Sequence, residues 1–479
     1  MIVGYVNTLY FRAEYFTLEQ IGLFTLITAN AMIVSPVSSF GSGSSYIKYF
    51  PSFTEETKHR LFTFLFLVSV IGNVLILLLG FLFQDLIAAR YAATSPTYVD
   101  YLFVTGIVII SNSLFELFFS YSRSILKVVF PSFIRDVYLR LGSMLLVIGY
   151  AMNWWDFRWA VVGLGIVYFL AFIFLLLNLI LLHGFRFEFT FTSIDSKWRR
   201  NLARFGGYSM LLASSFAVIN NISYDQITAI LGSEMTGIFT TCFFIGVVVE
   251  MPKRNMAKVM MPLVSKASTE KNFTVIEDIY KRSSITMSVI GLLFTIGIAT
   301  NLNDLFNFIP KGSSFQTGFW VVICVCMAKV VLMISSFAGE IINYSHKYLY
   351  NLYFQILAAI ILIILNALLI PKWGINGAGF SYMVSILFHI LLKGIFVKKH
   401  LNMTPFTKSH ILLFIISAVI FVLALFFQPS FHPILNIALR ASLTSIVFLF
   451  LIYRFNISKD INTLIHSTFE RFLNIKLSK

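Results

Sequence analysis

Apolar stretches of about 20 residues recur from one end of the chain to the other, and they limit its fold more than any other feature. A helix of that length crosses the roughly 30 Å of hydrocarbon in a bilayer. Because the stretches recur along the whole chain, a secreted protein with a signal peptide and an enzyme with a single anchor are both excluded. The sequence therefore predicts an all-α integral membrane protein.

Counting windows of this length predicts about 14 transmembrane helices, of which the first is short. The connections between them are short on one side, so no sizeable domain is expected there. The predicted spans, numbered 1 to 14 in chain order, cover 1–11, 21–40, 61–83, 98–120, 139–154, 161–182, 205–223, 236–250, 284–301, 318–341, 350–370, 377–396, 411–427 and 434–453.

Basic residues are unevenly distributed between the predicted loops. The chain carries 36 Lys and Arg against 21 Asp and Glu, a formal net charge of +15. Alternate loops and the C-terminal tail hold 27 of these basic residues, whereas the loops on the other face hold five. By the positive-inside rule the basic loops and both termini are cytoplasmic. Topology and attraction to lipid head groups explain the charge, so we expect no nucleic acid as a partner.

No pattern in the sequence is typical of a metal site, a cofactor site or a catalytic nucleophile. The three cysteines lie in apolar stretches, and Cys324 and Cys326, two residues apart on a helix, point away from each other. The Gly-Ser run at 41–45 lacks the Lys and Ser/Thr ending of a phosphate-binding P-loop. We predict no metal, no cofactor and no covalent catalysis.

An internal repeat runs through the first twelve spans. The segment Glu19–Thr25 returns 215 residues later as Glu234–Thr240, and Ser69–Gly72 returns 219 residues later as Ser288–Gly291. Further short matches keep the same order at a similar offset. Because each unit contains an even number of helices, the two units cross the membrane in the same sense and are related by an axis along the membrane normal.

The repeat predicts two six-helix lobes, at 1–182 and 205–396, joined by a cytoplasmic linker at 183–204. Spans 13 and 14 (411–453) and a cytoplasmic tail (454–479) stand outside the repeat. In proteins of this kind the site lies in a cavity between the lobes, which rock to open it to either side. Comparison of the lobes makes span 1 about ten residues too short to cross the membrane. We therefore expect a truncated span 1 and a missing upstream segment.

One stretch of the sequence closely resembles a signature of bacterial polysaccharide flippases, namely Asn366–Gly379 (NALLIPKWGINGAG). Physically, Pro371 ends span 11 because it lacks an N–H, and Gly374 permits a tight turn. The exit from span 2 at 40–51 and the turn at 225–237 are similar to the same family. The resemblance covers nearly the whole chain, including the count of six plus six plus two helices.

The resemblance implies a Wzx-like flippase of the multidrug, oligosaccharide-lipid and polysaccharide exporter (MOP) superfamily. Such a protein moves an undecaprenyl-diphosphate-linked oligosaccharide from the cytoplasmic to the periplasmic leaflet of the bacterial inner membrane, for O-antigen, capsule or exopolysaccharide. The implied partners are membrane lipids and the polymerase and export proteins of the pathway, and the driving ion stays open between proton and sodium. The chain departs from the family in span 1 and in Gly41 and Gly43, which we expect to loosen the end of span 2.

Charged residues inside the spans are the first candidates for a site, since a charge at mid-bilayer costs about 2.5–3.5 kcal/mol on insertion scales. Lys329 lies near the middle of span 10, farther from either end than a Lys side chain can snorkel. It must therefore face a cavity or a partner. An ammonium in a low-dielectric cavity would stabilise the diphosphate of the substrate. We assign Lys329 to substrate binding, with internal pairing as the alternative.

Four further residues are predicted to contact substrate. Asn220 and Asn221, near the outer end of span 7, are assigned to the cavity, with interhelical hydrogen bonds as the alternative. Arg12 and Lys48 flank spans 1 and 2, where the family's cavity has its entrances, and interfacial anchoring competes with this assignment. We expect Arg440 to snorkel to the interface.

Two carboxylates, Glu116 and Asp225, are the candidate coupling groups. Glu116 lies one turn inside span 4, where snorkelling or pairing with Lys329 would also explain it. Asp225, like Glu250 and Glu340, lies at a helix end, where a solvated or capping role is the default.

Two other classes of protein compete with the flippase. An ion-coupled multidrug exporter of the same superfamily would need buried carboxylates, whereas the most central charge here is Lys329. A membrane polysaccharide polymerase or glycosyltransferase would need acidic or nucleophilic groups in a sizeable extramembrane loop, and the predicted loops offer none.

Overall fold

The structure, a computed structural model, divides the chain into two compact units. The first unit comprises Met1–Thr241 with Asn366–Ile375, and the second comprises Cys242–Leu365 with Asn376–Lys479. The predicted lobe boundaries follow membrane topology and stay a prediction. Residues 468–479 of the predicted tail lie outside the described residues. The structure describes residues 2–191, 194–270, 272–343, 345, 347–429 and 431–467.

Helices make up the first unit. A π-helical turn at Asn7–Phe11 separates the first two helices, and another at Ile134–Tyr138 separates the eighth and ninth. The helices are α1 (Ile2–Val6), α2 (Arg12–Tyr15), α3 (Leu18–Ser38), α4 (Ser42–Tyr49), α5 (Glu55–Leu82), α6 (Gln84–Tyr91), α7 (Leu102–Ser124), α8 (Val129–Phe133), α9 (Leu139–Ala151), α10 (Phe157–His183) and α11 (Ser196–Leu231).

The remaining helices lead into and build the second unit. A 3-10 turn at Val248–Glu250 follows the first of them. They are α12 (Ser233–Val247), α13 (Met251–Thr269), α14 (Phe273–Thr300), α15 (Leu302–Phe308), α16 (Gly312–Phe315), α17 (Phe319–Ile334), α18 (Ala338–Asn343), α19 (Leu349–Leu401), α20 (Lys408–Phe426) and α21 (Pro433–Arg454).

Within the described residues, eleven helices are long and apolar enough to cross a membrane. One of them, the 53-residue helix α19, has roughly twice the length that a bilayer needs. Gly374 interrupts it with φ 59° and ψ −143°, so the chain turns where the sequence predicted a turn. Each of the fourteen predicted spans overlaps a helical segment. The predicted fold class, an all-α membrane protein of about 14 helices, is confirmed.

The two copies of the first repeated segment pack against each other in the first unit. A Cβ built on Gly22 would lie 1.8 Å from the carbonyl oxygen of Ser233, and one built on Gly237 would lie 2.0 Å from that of Leu18. Gly22 and Gly237 are equivalent positions of the repeat, as are Leu18 and Ser233. Reciprocal contacts between equivalent residues are what a two-fold axis passing between α3 and α12 produces. The contact therefore gives the sequence repeat a structural counterpart.

The glycines at the end of α3 are tightly packed, so the expected looseness there is wrong. Gly41 adopts the left-handed conformation (φ 65°), and a Cβ on it would lie 2.3 Å from the carbonyl oxygen of Gly206. A Cβ on Gly43 would lie 2.6 Å from the hydroxyl oxygen of Ser120. Each glycine permits a close approach between helices that a side chain would prevent.

Arg440 does not snorkel, and that expectation is also wrong. Its side chain on α21 is buried and donates to the carbonyl oxygens of Phe427 and Thr300 at 2.9 and 2.8 Å. It also pairs with Asp304 of α15 at 3.0 Å and contacts the side-chain oxygen of Asn301 at 3.2 Å. Four acceptors compensate the desolvation of the guanidinium, so it tethers α21 to the rest of the second unit.

Replacing Gly22 with Ala should destabilise the protein by about 1–3 kcal/mol, because the new methyl group meets backbone rather than a flexible side chain. Gly297→Ala is the matched control, since nothing lies within 4 Å of a Cβ at that helical position. Thermal unfolding of the purified protein in detergent measures both. Equal melting temperatures for the two variants would contradict the close approach of α3 and α12.

Replacing Arg440 with Met should lower the free energy of unfolding by about 3–5 kcal/mol, because it leaves the partly buried carboxylate of Asp304 without its cation. The double variant Arg440→Met/Asp304→Asn should recover part of this loss. Arg454→Met, at the exposed end of the same helix, serves as control. The tether would be disproved if the Arg440 and Arg454 variants melted at the same temperature.

Candidate functional site

Lys329 forms an ion pair inside the second unit. Its Nζ atom lies 2.6 Å from Oε2 of Glu250 and 5.4 Å from the ring centroid of Tyr382, and the side chain is 2% exposed. Glu250 belongs to the 3-10 turn that links α12 to α13. Lys329 was predicted to face a cavity or a partner, and in this structure its partner is the carboxylate of Glu250. Glu250 therefore does more than sit in solvent or cap a helix.

The helix that carries Lys329 is shorter than its predicted span. Helix α17 ends at Ile334, and Ser336 has a positive φ of 43° before α18 begins at Ala338. Lys329 therefore lies nearer to a helix end than the predicted span 318–341 implied. Ser336 breaks the helix where the apolar pattern gave no signal.

Asp225 is the centre of a polar cluster in the first unit. Its carboxylate accepts hydrogen bonds from the guanidinium of Arg90 and from the hydroxyl of Tyr91, both on α6. The ring of Tyr91 packs against that of Tyr98, whose hydroxyl accepts a hydrogen bond from Asn30 at 2.9 Å. Asp225 is 9% exposed, so the default expectation of a solvated helix end is wrong. Its assignment as a coupling group stays a prediction.

Asn366 is a buried polar residue to which the sequence gave no role. Its side-chain amide donates to Ser223 at 3.0 Å and to Gln226 at 2.9 Å, both on α11. Asn366 is the first residue of the stretch that resembles the flippase signature. The resemblance was therefore the sequence signal by which Asn366 could have been identified as a candidate. Asn220 and Asn221 instead donate to carbonyl oxygens of their own helix, at 2.8 and 2.9 Å.

Arg12 is a partly buried cation that lacks a carboxylate partner among the described residues. Its guanidinium lies 4.9 Å from the ring centroid of Phe24, and Nη2 lies 3.5 Å from the hydroxyl of Ser143. Its Nε is buried without a hydrogen-bond partner in the described part of the chain. Asn7 also donates to Ser143, at 2.9 Å. A partly buried guanidinium that keeps unused donors is suited to bind an oxyanion.

The two other predicted residues of the first unit lie nearer to solvent. Lys48 is exposed, and its Nζ sits 3.7 Å from the ring centroid of Phe205. Glu116 lies 4.0 Å from both Arg123 and Arg135, at the limit of an ion pair. These partners are local, so the structure offers Glu116 a charge partner without Lys329.

Among the described residues, no three His, Cys, Asp or Glu side chains gather where they could hold a metal ion. The three cysteines are buried, as the sequence predicted, and the thiol of Cys242 lies 3.5 Å from the carbonyl oxygen of Phe315.

Comparison with solved structures shows that the chain shares its fold with several membrane proteins of known structure. The chain superposes on a lipid II flippase MurJ in an inward closed conformation with a TM-score of 0.77 and 14% identity, covering 95% of this chain and 97% of that one. It superposes on an inward-facing multidrug resistance MATE transporter of the MOP superfamily with a TM-score of 0.67, 12% identity and coverage of 84% and 93%.

A third similar structure is a MOP superfamily transporter from Pyrococcus furiosus, with a TM-score of 0.56, 13% identity and coverage of 80% and 88%. The binding pocket of that transporter has reversed polarity, which suggests a different function for it. No protein-family model matches the sequence, and no curated protein matches it. The solved structures establish the fold, an all-α arrangement shared over most of the chain.

Removing Lys329 alone should destabilise the protein, because it leaves the carboxylate of Glu250 buried without a cation. We expect Lys329→Met and Glu250→Gln each to lower the melting temperature in detergent. The double variant should recover most of that loss, since it removes both charges together. Additive losses in the double variant would show that the two side chains do not interact.

Proposed function

We propose that the chain is a Wzx-like flippase that moves an undecaprenyl-diphosphate-linked oligosaccharide across the bacterial inner membrane, without covalent chemistry. Two lobes alternate around a cavity, through which the glycan passes in water while the polyprenyl chain stays in lipid. The product would serve O-antigen, capsule or exopolysaccharide synthesis. Membrane lipids and the polymerase and export proteins of the pathway would be its partners.

The observation that carries this proposal is the superposition on a flippase over 95% of the chain. The flippase-like stretch Asn366–Gly379 supports it independently, because its first residue joins α19 to α11 through two buried hydrogen bonds. Both support the proposal that this fold serves a lipid-linked substrate.

Arg12 and Lys329 would act on the diphosphate in different ways. Arg12 has no carboxylate partner among the described residues, so it can offer its guanidinium to a phosphate directly. Lys329 must first exchange Glu250 for the phosphate, because the ammonium is already paired. We propose Arg12 as a direct ligand and Lys329 as a conditional one, with Lys48, Asn220 and Asn221 as contacts to the glycan.

Proton or sodium coupling would use Glu116 or Asp225. Asp225 is the better-buried of the two, and it pairs with the guanidinium of Arg90. Protonation of Asp225, or an ion bound to it, would break its contacts with Arg90 and Tyr91. Because these two residues lie on α6 and Asp225 lies on α11, the loss of the contacts would free α6 to move relative to α11. Glu116, between two arginines, would respond in the same way near solvent.

A multidrug exporter is the second candidate function, because the chain also superposes on a multidrug resistance transporter with a TM-score of 0.67. An exporter of cations would need buried carboxylates that stay free of internal cations. In the described structure Asp225 and Glu250 are both paired, which favours the flippase.

The first test is accumulation of lipid-linked glycan in a strain that lacks this gene. We expect the glycan to collect in the cytoplasmic leaflet, where a membrane-impermeant glycan-cleaving probe added from outside cannot reach it. The full chain should restore access to the probe, and Arg12→Gln should reduce that access at least tenfold. Absence of accumulated glycan, with increased sensitivity to drugs, would favour the exporter instead.

Two variants sharpen the test. Lys266→Gln, which removes an exposed ammonium on α13, is the control for Arg12→Gln and should transport normally. The double variant Lys329→Met/Glu250→Gln removes one positive and one negative charge together, so neither partner is left unpaired. A loss of transport in this variant would therefore reflect lost contact with the substrate and not misfolding. Normal transport by this double variant would remove Lys329 from the mechanism.

A further inference from the structure

The turn between α9 and α10 concentrates aromatic side chains that the proposed function has not used. Three of the six tryptophans of the chain lie in this turn or at the start of α10. The positive-inside rule predicts that the turn is on the non-cytoplasmic side of the membrane. A cleft of about 500 Å³ opens there, and we call it the tryptophan cleft. It is lined by Leu146, Trp154, Trp155, Trp159, Gly163 and Ile166.

One wall of the tryptophan cleft is fixed by the backbone of α9. The indole Nε1 of Trp155 donates to the carbonyl oxygen of Leu146 at 3.1 Å, and a Cβ on Gly149 would lie 2.0 Å from Cζ2 of the same ring. The turn itself is also held, because Asn153 adopts the left-handed conformation (φ 56°) and the amide of Trp154 donates to the carbonyl oxygen of Gly149 at 2.9 Å. The cleft is therefore formed before any ligand binds, which lowers the entropic cost of binding.

The open side of the cleft runs along α10. Trp159, Gly163 and Ile166 lie on one face of the helix and span about 10 Å of its axis. Trp159 is 63% exposed and Ile166 is 51% exposed, so this face is open to the surroundings of the protein. Gly163 forms the floor, where a Cβ would lie 2.4 Å from Cδ2 of Leu146. Because α10 is long and apolar enough to cross the membrane, hydrocarbon has direct access to the cleft.

The lining of the cleft favours a hydrocarbon chain over a sugar. A sugar ring can stack on tryptophan, but its hydroxyl groups also need polar side chains placed around it. Leu146, Gly163 and Ile166 offer none, and the indole N–H of Trp155 is already used within the protein. A hydrocarbon chain needs only apolar surface that leaves water or disordered lipid.

Two exposed charges of opposite sign flank the cleft. Asp156 follows Trp155 in sequence, and Arg158 precedes Trp159. The carboxylate of Asp156 does not cap α10, and neither charge forms an ion pair within the described residues. A guanidinium complements a phosphate, and a carboxylate complements an ammonium. The pair therefore suits a head group that carries both charges, whereas Asp156 would repel a head group that is only anionic.

We infer that the tryptophan cleft binds one zwitterionic phospholipid. A hydrocarbon chain of the lipid lies along α10 between Trp159 and Ile166. The phosphate contacts Arg158, and the ammonium contacts Asp156. This site is independent of the proposed function, because it lies on the outer surface of the α9–α10 hairpin and uses none of the residues assigned to the transported substrate.

The test is quenching of tryptophan fluorescence by phospholipids with dibrominated acyl chains, since bromine quenches an indole only at close range. The purified full chain is placed in nanodiscs of phosphatidylglycerol, into which brominated phosphatidylethanolamine or brominated phosphatidylglycerol is titrated. The mole fraction that gives half-maximal quenching should be roughly threefold lower for phosphatidylethanolamine, the preference that an exposed ion pair supplies.

Two variants with matched controls locate the preference. Gly163→Leu fills the floor of the cleft and should bring the two titration curves together, whereas Gly80→Leu, where nothing lies within 4 Å of a Cβ, should behave as the wild type does. Asp156→Asn should also abolish the preference, because it removes the partner of the ammonium. Asp85→Asn, an exposed carboxylate in the first turn of α6, is its control and should retain the preference.

Equal half-maximal fractions for the two lipids in the wild-type chain would overturn the site and leave only contact with bulk lipid. A preference for phosphatidylethanolamine that survives in Gly163→Leu and Asp156→Asn would overturn it as well. If Gly163→Leu does not fold, Trp159→Ala carries the test, because its ring is largely exposed and its loss opens the wall of the cleft. Each variant is normalised to its own fluorescence without bromine.

Discussion

The cost of placing charge in a low-dielectric interior governs the described structure more than any other constraint. An ionised side chain that leaves water must find an opposite charge or several hydrogen bonds. Asp225 with Arg90, Glu250 with Lys329 and Asp304 with Arg440 each meet this demand between helices that are far apart in sequence. These pairs join helices that the close packing at Gly22 and Gly237 does not reach.

The sequence predicted the helices well because their cause is local. A window of about 20 apolar residues is sufficient to predict a crossing, and even the turn at Gly374 lay in one conspicuous stretch. The partners of the charges were not predicted, because Lys329 and Glu250 are 79 residues apart and several carboxylates competed for the role. The break at Ser336, which moves Lys329 towards a helix end, has no signature in apolar periodicity.

The repeat was detectable for a different reason. Equivalent positions that meet at a two-fold axis must both be small, since each would otherwise collide with the other's backbone. Gly22 and Gly237 meet this condition, and their neighbours Leu18 and Ser233 complete the reciprocal contact. The short match between Glu19–Thr25 and Glu234–Thr240 therefore indicated a contact in the structure. The residue types in the match did not indicate a function.

The cations inside the structure differ in whether an acceptor compensates their charge. Arg440 has four acceptors and Lys329 has a carboxylate, so their charges are already compensated. Arg12 has no carboxylate within ion-pair distance among the described residues. An anion would improve the electrostatic free energy at that position and not at the compensated ones. The compensated pairs therefore serve to hold helices together, whereas Arg12 keeps donors that an anion can accept from.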